Sequence, residues 1–326
     1  MLTSKRTEIR LIVVFVLLAA LLLSGCSDDD DNGSKQTVTI SGAFALYPLV
    51  VQWADEYQKV YPDVQFDISA GGAGKGMSDV LAGAVDIAMV SREVRTAEVD
   101  QGAMAFATAK DAVVMTVSAD NPVLDQLMMT GITPETGAAI WITGEITTWG
   151  ELIGTDDDSL ISVYTRADAC GAAEVWSLFL GGTAQEDLQQ GIAVQGDPVV
   201  AETVNRDRLG AGYNNLNFAY DAETGEPLDG LRVVPIDLDG DGVISDEENF
   251  YGDKNSLTTA IADERYPSPP ARPLYLVTKG DPDGAAADFI RWTLTEGQAF
   301  VDVAGYVGVS DSQLQAGLEL LDATSH

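Results

Sequence analysis

The chain has 326 residues, in which 51 Asp and Glu stand against 18 Lys and Arg, a formal charge of −33 at pH 7. A surface so acidic excludes nucleic acid and anionic membrane as partners recruited by charge, and it suits a high-salt setting. The single histidine, His326, is the last residue, so neither a His-based hydrolase nor a histidine metal centre is indicated.

Residues 1–25 carry Lys5, Arg6 and Arg10 ahead of an apolar run from Leu11 to Leu23. That run is short for a membrane-spanning helix and has the layout of a secretory signal. It ends Leu23-Ser-Gly-Cys26, which resembles a lipobox, with Cys26 as the lipidated first residue of the mature chain. Loss of three cations and Glu8 takes the mature charge to near −35. Ser27 to Lys35, rich in Asp, Asn, Gly and Ser, reads as a flexible tether within the segment 26–36. With Cys26 lipidated, Cys170 is the remaining thiol and no intrachain disulfide is expected. The roughly 290 residues that follow suffice for two lobes.

Thr37 to Ile40 reads as a strand, followed by the turn Ser41–Pro48. A helix is expected from about Leu49 to Val60, with Val50, Trp53, Ala54 and Tyr57 on one face. Val64 to Ser69 alternates as a strand, the glycine-rich loop Gly71–Gly76 follows, and a helix is expected over Met77–Ala82. Val85 to Val90 is a further strand, ending in Ser91-Arg92. Such strand–loop–helix repetition predicts an α/β sheet whose loops gather at the carboxyl ends of the strands. The glycine loop is not a nucleotide loop. A phosphate loop needs a Gly separated by four residues from its Gly-Lys pair and Ser or Thr after it, and Ser69 and Gly76 occupy those positions.

The segment Arg166–Leu180 reads as a loop turning into a helix. Ala172, Val175, Trp176, Phe179 and Leu180 form one apolar face, and Gly181-Gly182 stops it. Arg166 and Asp168 project from one side of the loop, and Gly171 lets the backbone approach whatever lies over the helix start. A helix N-terminus beside a guanidinium suits an anion; an ordinary helix start with a surface Arg–Asp pair is the competing reading. Further along, Asp237-Leu-Asp-Gly-Asp-Gly-Val-Ile-Ser-Asp-Glu-Glu248 matches every fixed position of a calcium loop. Asp237, Asp239, Asp241 and Glu248 would ligate by carboxylate, Val243 by its carbonyl and Ser245 through water. Preceded by the strand-like Leu231–Ile236 rather than a helix, the loop sits on a different frame. Its competing reading is an acidic surface turn.

Taken together, the Ser41–Pro48 turn, Trp53-Ala-Asp-Glu-Tyr-Gln-Lys59, the glycine loop and Val85-Asp-Ile-Ala-Met-Val-Ser-Arg92 resemble the phosphate-binding subunit of bacterial and archaeal phosphate ABC importers. The resemblance continues at Ile146-Thr-Thr-Trp149, at Arg166-Ala-Asp168 with Gly171, and at Tyr275–Thr278, Phe289–Trp292, Glu296–Gln298 and Gly305–Val307. It implies a two-lobed, type II periplasmic-binding-protein fold with a two-strand hinge. Lobe one would span 37–114 and 278–326 and lobe two 115–277, with crossings near Ala112–Val117 and Pro273–Val277. It implies an anion site built from Ser41, Ala45, Leu46, Tyr47, Gly71, Gly72, Ser91, Arg92, Arg166, Asp168, Cys170, Gly171 and Ala172. Arg166 would donate to the oxyanion, and Asp168 would hold the guanidinium. Leu46, Gly71, Cys170 and Ala172 stand where the family commonly has hydroxyls, and Ser91 where it has a carboxylate that accepts the ligand's proton. Cys170 is expected to be a neutral thiol. The implied protein is a monomeric, lipid-anchored receptor outside the membrane that captures inorganic phosphate for a permease and its ATPase. Another oxyanion (sulfate, tungstate, molybdate or arsenate) is the alternative ligand, and a surface sensor or adhesion module the alternative function.

Overall fold

The protein is described by a computed structural model over residues 36–323. The signal segment, Cys26, nearly all of the tether and His326 lie outside the described residues. No helix among the described residues is long and apolar enough to cross a membrane.

Strands β1 (Gln36–Gly42), β2 (Val64–Ala70) and β3 (Ile87–Val90) alternate with helices α1 (Tyr47–Val60) and α2 (Ala73–Leu81). Two long strands follow in the sheet, β4 (Ala103–Ser118) and β9 (Ala271–Lys279). Between them in sequence lie β5 (Ser162–Arg166), α3 (Gly171–Phe179), β6 (Ile192–Val194), α4 (Gly196–Arg206), β7 (Gly210–Asn215), β8 (Leu231–Val233) and α5 (Lys254–Ala262). Helices α6 (Gly284–Leu294) and α7 (Asp311–Ala323) close the chain. The sheet order is β2-β1-β3-β9-β4-β7-β5-β6, with β8 also on β4. Pairing is parallel within β2-β1-β3 and within β7-β5-β6, and antiparallel through β9 and β4. This is an α/β mixed sheet.

Two hydrophobic cores share that sheet. One gathers β1–β3, α1, α2, α6 and the ends of β4 and β9 around Tyr57, Phe66, Phe289 and Trp292, whose rings meet edge-on or stacked. The other gathers Trp141, Trp176 and Tyr213, the last two stacked at 5.7 Å, with Phe250, Tyr251 and Tyr266. The chain passes between cores from Ala109 to Ala112 on β4 and from Ala271 to Leu274 on β9. The crossing is shorter than the sequence boundaries suggest: Val113–Val117 already pack in the second core, and Leu274–Val277 already pack in the first. Val307 belongs to the second core and bridges Lys110.

The buried face expected for α3 (Ala172, Val175, Trp176, Phe179, Leu180) is buried. Helix α2 starts at Ala73, four residues before Met77, because its glycines serve close packing. A Cβ at Gly76 would fall 2.6 Å from Gly42 Cα, and one at Gly74 would fall 2.6 Å from the Ala169 methyl. The apolar run after Gly284 is helical to Leu294 and then tightens into a 3₁₀ turn, Glu296–Phe300.

Candidate functional site

The carboxyl ends of β1, β2 and β3 meet those of β5 and β6 across the line between the cores. Gly74 donates its N–H to the Ala169 carbonyl (2.9 Å). Gly72, at φ +95°, passes so close that a Cβ would lie 2.7 Å from Ala169 O and 2.9 Å from Asp168 Oδ2. A Cβ on Gly171 would lie 2.2 Å from the Ser91 carbonyl. The Phe44 ring covers the Arg166 guanidinium at 5.6 Å and abuts Gly196. Glycine is required at positions 72 and 171 because backbone meets backbone there.

Arg166 lies at the centre, its side chain fully buried. Nε and Nη2 donate to the two oxygens of Asp168 (2.9 and 2.6 Å), and Nη1 donates to Asp197 Oδ2 (2.6 Å). Asp168 Oδ1 also accepts the Gly196 N–H (2.9 Å), and Asp197 Oδ1 accepts the Asn215 N–H (2.9 Å). Asp168 thus holds the guanidinium, and Asp197 holds it a second time. Sequence reading missed Asp197; its signal was a carboxylate in the first turn of an amphipathic helix behind a glycine, Gly196.

Cys170 caps α3, its sulfur accepting the Ala173 N–H at 3.4 Å, and its own N–H goes to Gln185 Oε1 (3.0 Å). Burial pushes the thiol up to about 12, with Asp168 and Asp197 reinforcing and Arg166 opposing. It is neutral, and toward the helix it accepts rather than donates. The N–H groups of Gly171 and Ala172 have no acceptor among the described residues, which leaves the helix end open to an anion.

Other expected contributors are spent elsewhere. Ser41 donates to Asp79 Oδ2 (2.6 Å). Gly71 and Gly72 both donate to Gly42 O (2.9 and 3.0 Å), so these N–H groups tie the loop down instead of facing a ligand. Leu46 and Tyr47 donate to Ala43 O and Phe44 O, and Ala45 O accepts from Tyr306. Arg92 also departs from the expected role. Its guanidinium is clasped by Glu98 (2.9 and 2.6 Å) and approaches Glu174 of α3 at 3.4 Å.

Beneath Ser91 lies a second polar cluster that sequence reading did not assemble. Arg272 on β9 donates through Nε to Ser91 O (3.3 Å) and through Nη2 to Asn215 Oδ1. Its Nη1 faces Asp111 Oδ2 on β4 at 3.4 Å. Nη1 and both Asp111 oxygens are buried without a hydrogen bond of ordinary geometry. Lys254 of α5 donates to Asn217 and to Ala304 O (3.3 Å). An acidic residue next to the long apolar run of β4 was the available signal.

In the calcium-loop segment, Asp237, Asp239 and Glu248 bring carboxylate oxygens within 4.8 Å of one another. Asp237 accepts from Gly240 and Gly242, and Glu248 accepts from Leu238 and Ser245. Gly240 (φ +74°) and Gly242 (φ +83°) make the turn. Ile244 anchors it, donating its N–H to Met129 O (2.7 Å). Asp241 stands apart from the trio, its carboxylate turned to the Val243 N–H (2.8 Å); Val243 is exposed, and Ser245 donates its hydroxyl to Glu248.

The architecture has relatives. A PBP superfamily domain matches residues 29–296. The chain belongs to the PBP superfamily. Within this superfamily it is 25% identical over 290 residues to the phosphate-binding protein PstS of Bacillus subtilis, covering 85% of this chain and 82% of that one. It is 23% identical to PstS of Methanocaldococcus jannaschii, covering 89% and 87%. Among solved structures, a putative phosphate ABC transporter substrate-binding protein from Clostridium perfringens, with bound phosphate, superposes with a TM-score of 0.67. That match has 23% identity and covers 84% of this chain and all of the other. The superfamily fold thus accounts for the two cores and the shared sheet.

Proposed function

We propose that this chain is an extracytoplasmic solute-binding protein that captures inorganic phosphate for an ABC importer. The observation that carries the reading is the facing of two sets of strand ends across a buried arginine, beside the unpaired N–H groups of Gly171 and Ala172. Curated relatives over most of the chain are phosphate-binding proteins, and binding proteins are not enzymes. On this reading the cores part and close about the short crossing of β4 and β9. The chain is a monomer held to the membrane by lipid on Cys26, and it hands its ligand to a permease. Titration calorimetry against phosphate, sulfate and tungstate tests the ligand, and Arg166→Ala is expected to abolish binding. Binding of none of the three below millimolar would overturn the reading in favour of a sensor or adhesion module.

A second oxyanion is favoured by one specific observation. Ser91 stands where the family has the carboxylate that accepts the ligand's proton, and Asp168, the other candidate acceptor, is engaged by three N–H groups, so the simplest basis for preferring HPO4 over a fully deprotonated oxyanion is absent. Tighter binding of tungstate or sulfate than phosphate in that titration would select it.

The loop 237–248 is part of the proposal as a structural calcium site. Asp237, Asp239 and Glu248 fit a hard cation by donor type and spacing. Chelation is expected to lower the melting temperature while leaving anion affinity unchanged; equal melting with calcium and with chelator would remove it.

A further inference from the structure

The proposed anion site has a charge problem at Arg166. Its one positive charge is met by Asp168 and Asp197, so the immediate surroundings are net negative. A continuous path leads from there to two further cations. Arg166 Nη1 bonds Asp197, which accepts the Asn215 N–H; Asn215 Oδ1 accepts from Arg272, which faces Asp111. Lys254 lowers and Asp197 raises the Asp111 carboxyl electrostatically, and the Tyr306 hydroxyl, itself raised in part by Asp111, donates to Ala45 O. Ser91 and the Arg166 network therefore both reach the Asp111–Arg272 pair through hydrogen bonds of Arg272.

Counted over this cluster, Arg166, Arg272 and Lys254 balance Asp111, Asp168 and Asp197. A divalent anion entering a buried neutral cluster has no counter-charge, and burying unpaired charge is costly. The least costly remedy is to neutralise the carboxylate that is held most weakly. Asp168 accepts three N–H bonds and Asp197 accepts two, whereas neither oxygen of Asp111 has one of ordinary geometry. Arg272 Nη1 is the matching unpaired donor, buried beside the Ser91 carbonyl.

We propose that Arg272 and Asp111 form the floor of the anion site, where Arg272 Nη1 donates to the anion and Asp111 takes up a proton from solvent as the anion enters. This rests on the reading of the chain as an oxyanion receptor. Burial already pushes the free Asp111 carboxyl up to about 6, reinforced by Asp197 and opposed by Arg272, the Ala112 N–H and Lys254. Tyr266 and Tyr306 face it as neutral hydroxyls, their titration driven upward by burial. A new negative neighbour moves Asp111 further up, so at pH 7 the unliganded carboxylate is ionised and the liganded one is protonated.

The test is titration calorimetry of the intact protein with inorganic phosphate at pH 7 in two buffers of different ionisation enthalpy. Wild type is expected to take up about one proton more per phosphate than Asp111→Asn, since the amide cannot titrate. Equal proton counts in the two proteins would overturn the inference while leaving phosphate capture standing. Absence of phosphate binding by wild type would overturn both. Arg272→Lys keeps the charge and loses the fork. It is expected to weaken phosphate about tenfold with the proton excess over Asp111→Asn retained, and unchanged affinity would count against the Arg272 contact.

Discussion

The two buried arginines that flank the Ser91 and Arg166 loops make an instructive pair. Arg166 donates to carboxylate oxygens through all three of its nitrogens. Arg272, equally enclosed, has a carbonyl, an amide oxygen and a carboxylate at 3.4 Å. A buried ionic group that is fully bonded is rigid and specifies the arrangement around it, whereas one left partly bonded holds capacity in reserve. Arg166 accordingly fixes how the second core presents the α3 N-terminus, and Arg272 keeps a donor for something else.

The largest effect expected from disturbing this contrast is at Asp197. Asp197→Ala makes Arg166 resemble Arg272 and also strands the Asn215 N–H. A loss of about 3 kcal/mol or more is expected in denaturant unfolding, and a change under about 1 kcal/mol would mean that the doubly held arginine contributes little to rigidity. The next effect is on binding. Gly171→Ala drives a methyl into the Ser91 carbonyl that Arg272 also holds. Phosphate affinity is expected to fall about tenfold or more, ~1.4 kcal/mol, by titration; wild-type affinity would show that the approach of α3 to Ser91 is dispensable. The smallest is at the satisfied end. Cys170→Ser replaces one N-cap with a better one, so stability is expected to change by no more than about 1 kcal/mol, upward. With its thiol pushed up to about 12, wild-type Cys170 is expected to resist alkylation at pH 8.

Much of this was legible in the sequence because it is local. The apolar spacing of Ala172, Val175, Trp176 and Phe179 gives α3, and Arg166-Ala-Asp168 is a two-residue reach that any extended loop satisfies. Gly171 was recognised as a point of close approach, although its neighbour Ser91 was not foreseeable. What escaped is non-local. Asp197 meets Arg166 across 31 positions and Arg272 meets Asn215 across 57, and no periodicity in the chain encodes such pairings. Arg92 was misplaced partly for the same reason, since Glu174 comes from the other core, and partly because the short turn that brings Glu98 back onto it was not read. Helix α2 began early because glycine was weighed as a loop residue, when at Gly74 and Gly76 it is a packing residue.

The same Glu174 has a kinetic consequence. It receives Arg92 at 3.4 Å and also Arg95, so a single carboxylate on α3 joins two cations that follow β3. For a receptor that opens by parting its cores, both contacts must break before the ligand leaves. Arg95 is exposed and its attraction is screened by salt, whereas Arg92 is enclosed and is screened little. On the proposed reading, residence time is then set partly at this rim, by residues outside the proposed anion site. In a chain this acidic, a brine strips away the outer half of the clasp and leaves the inner half closed.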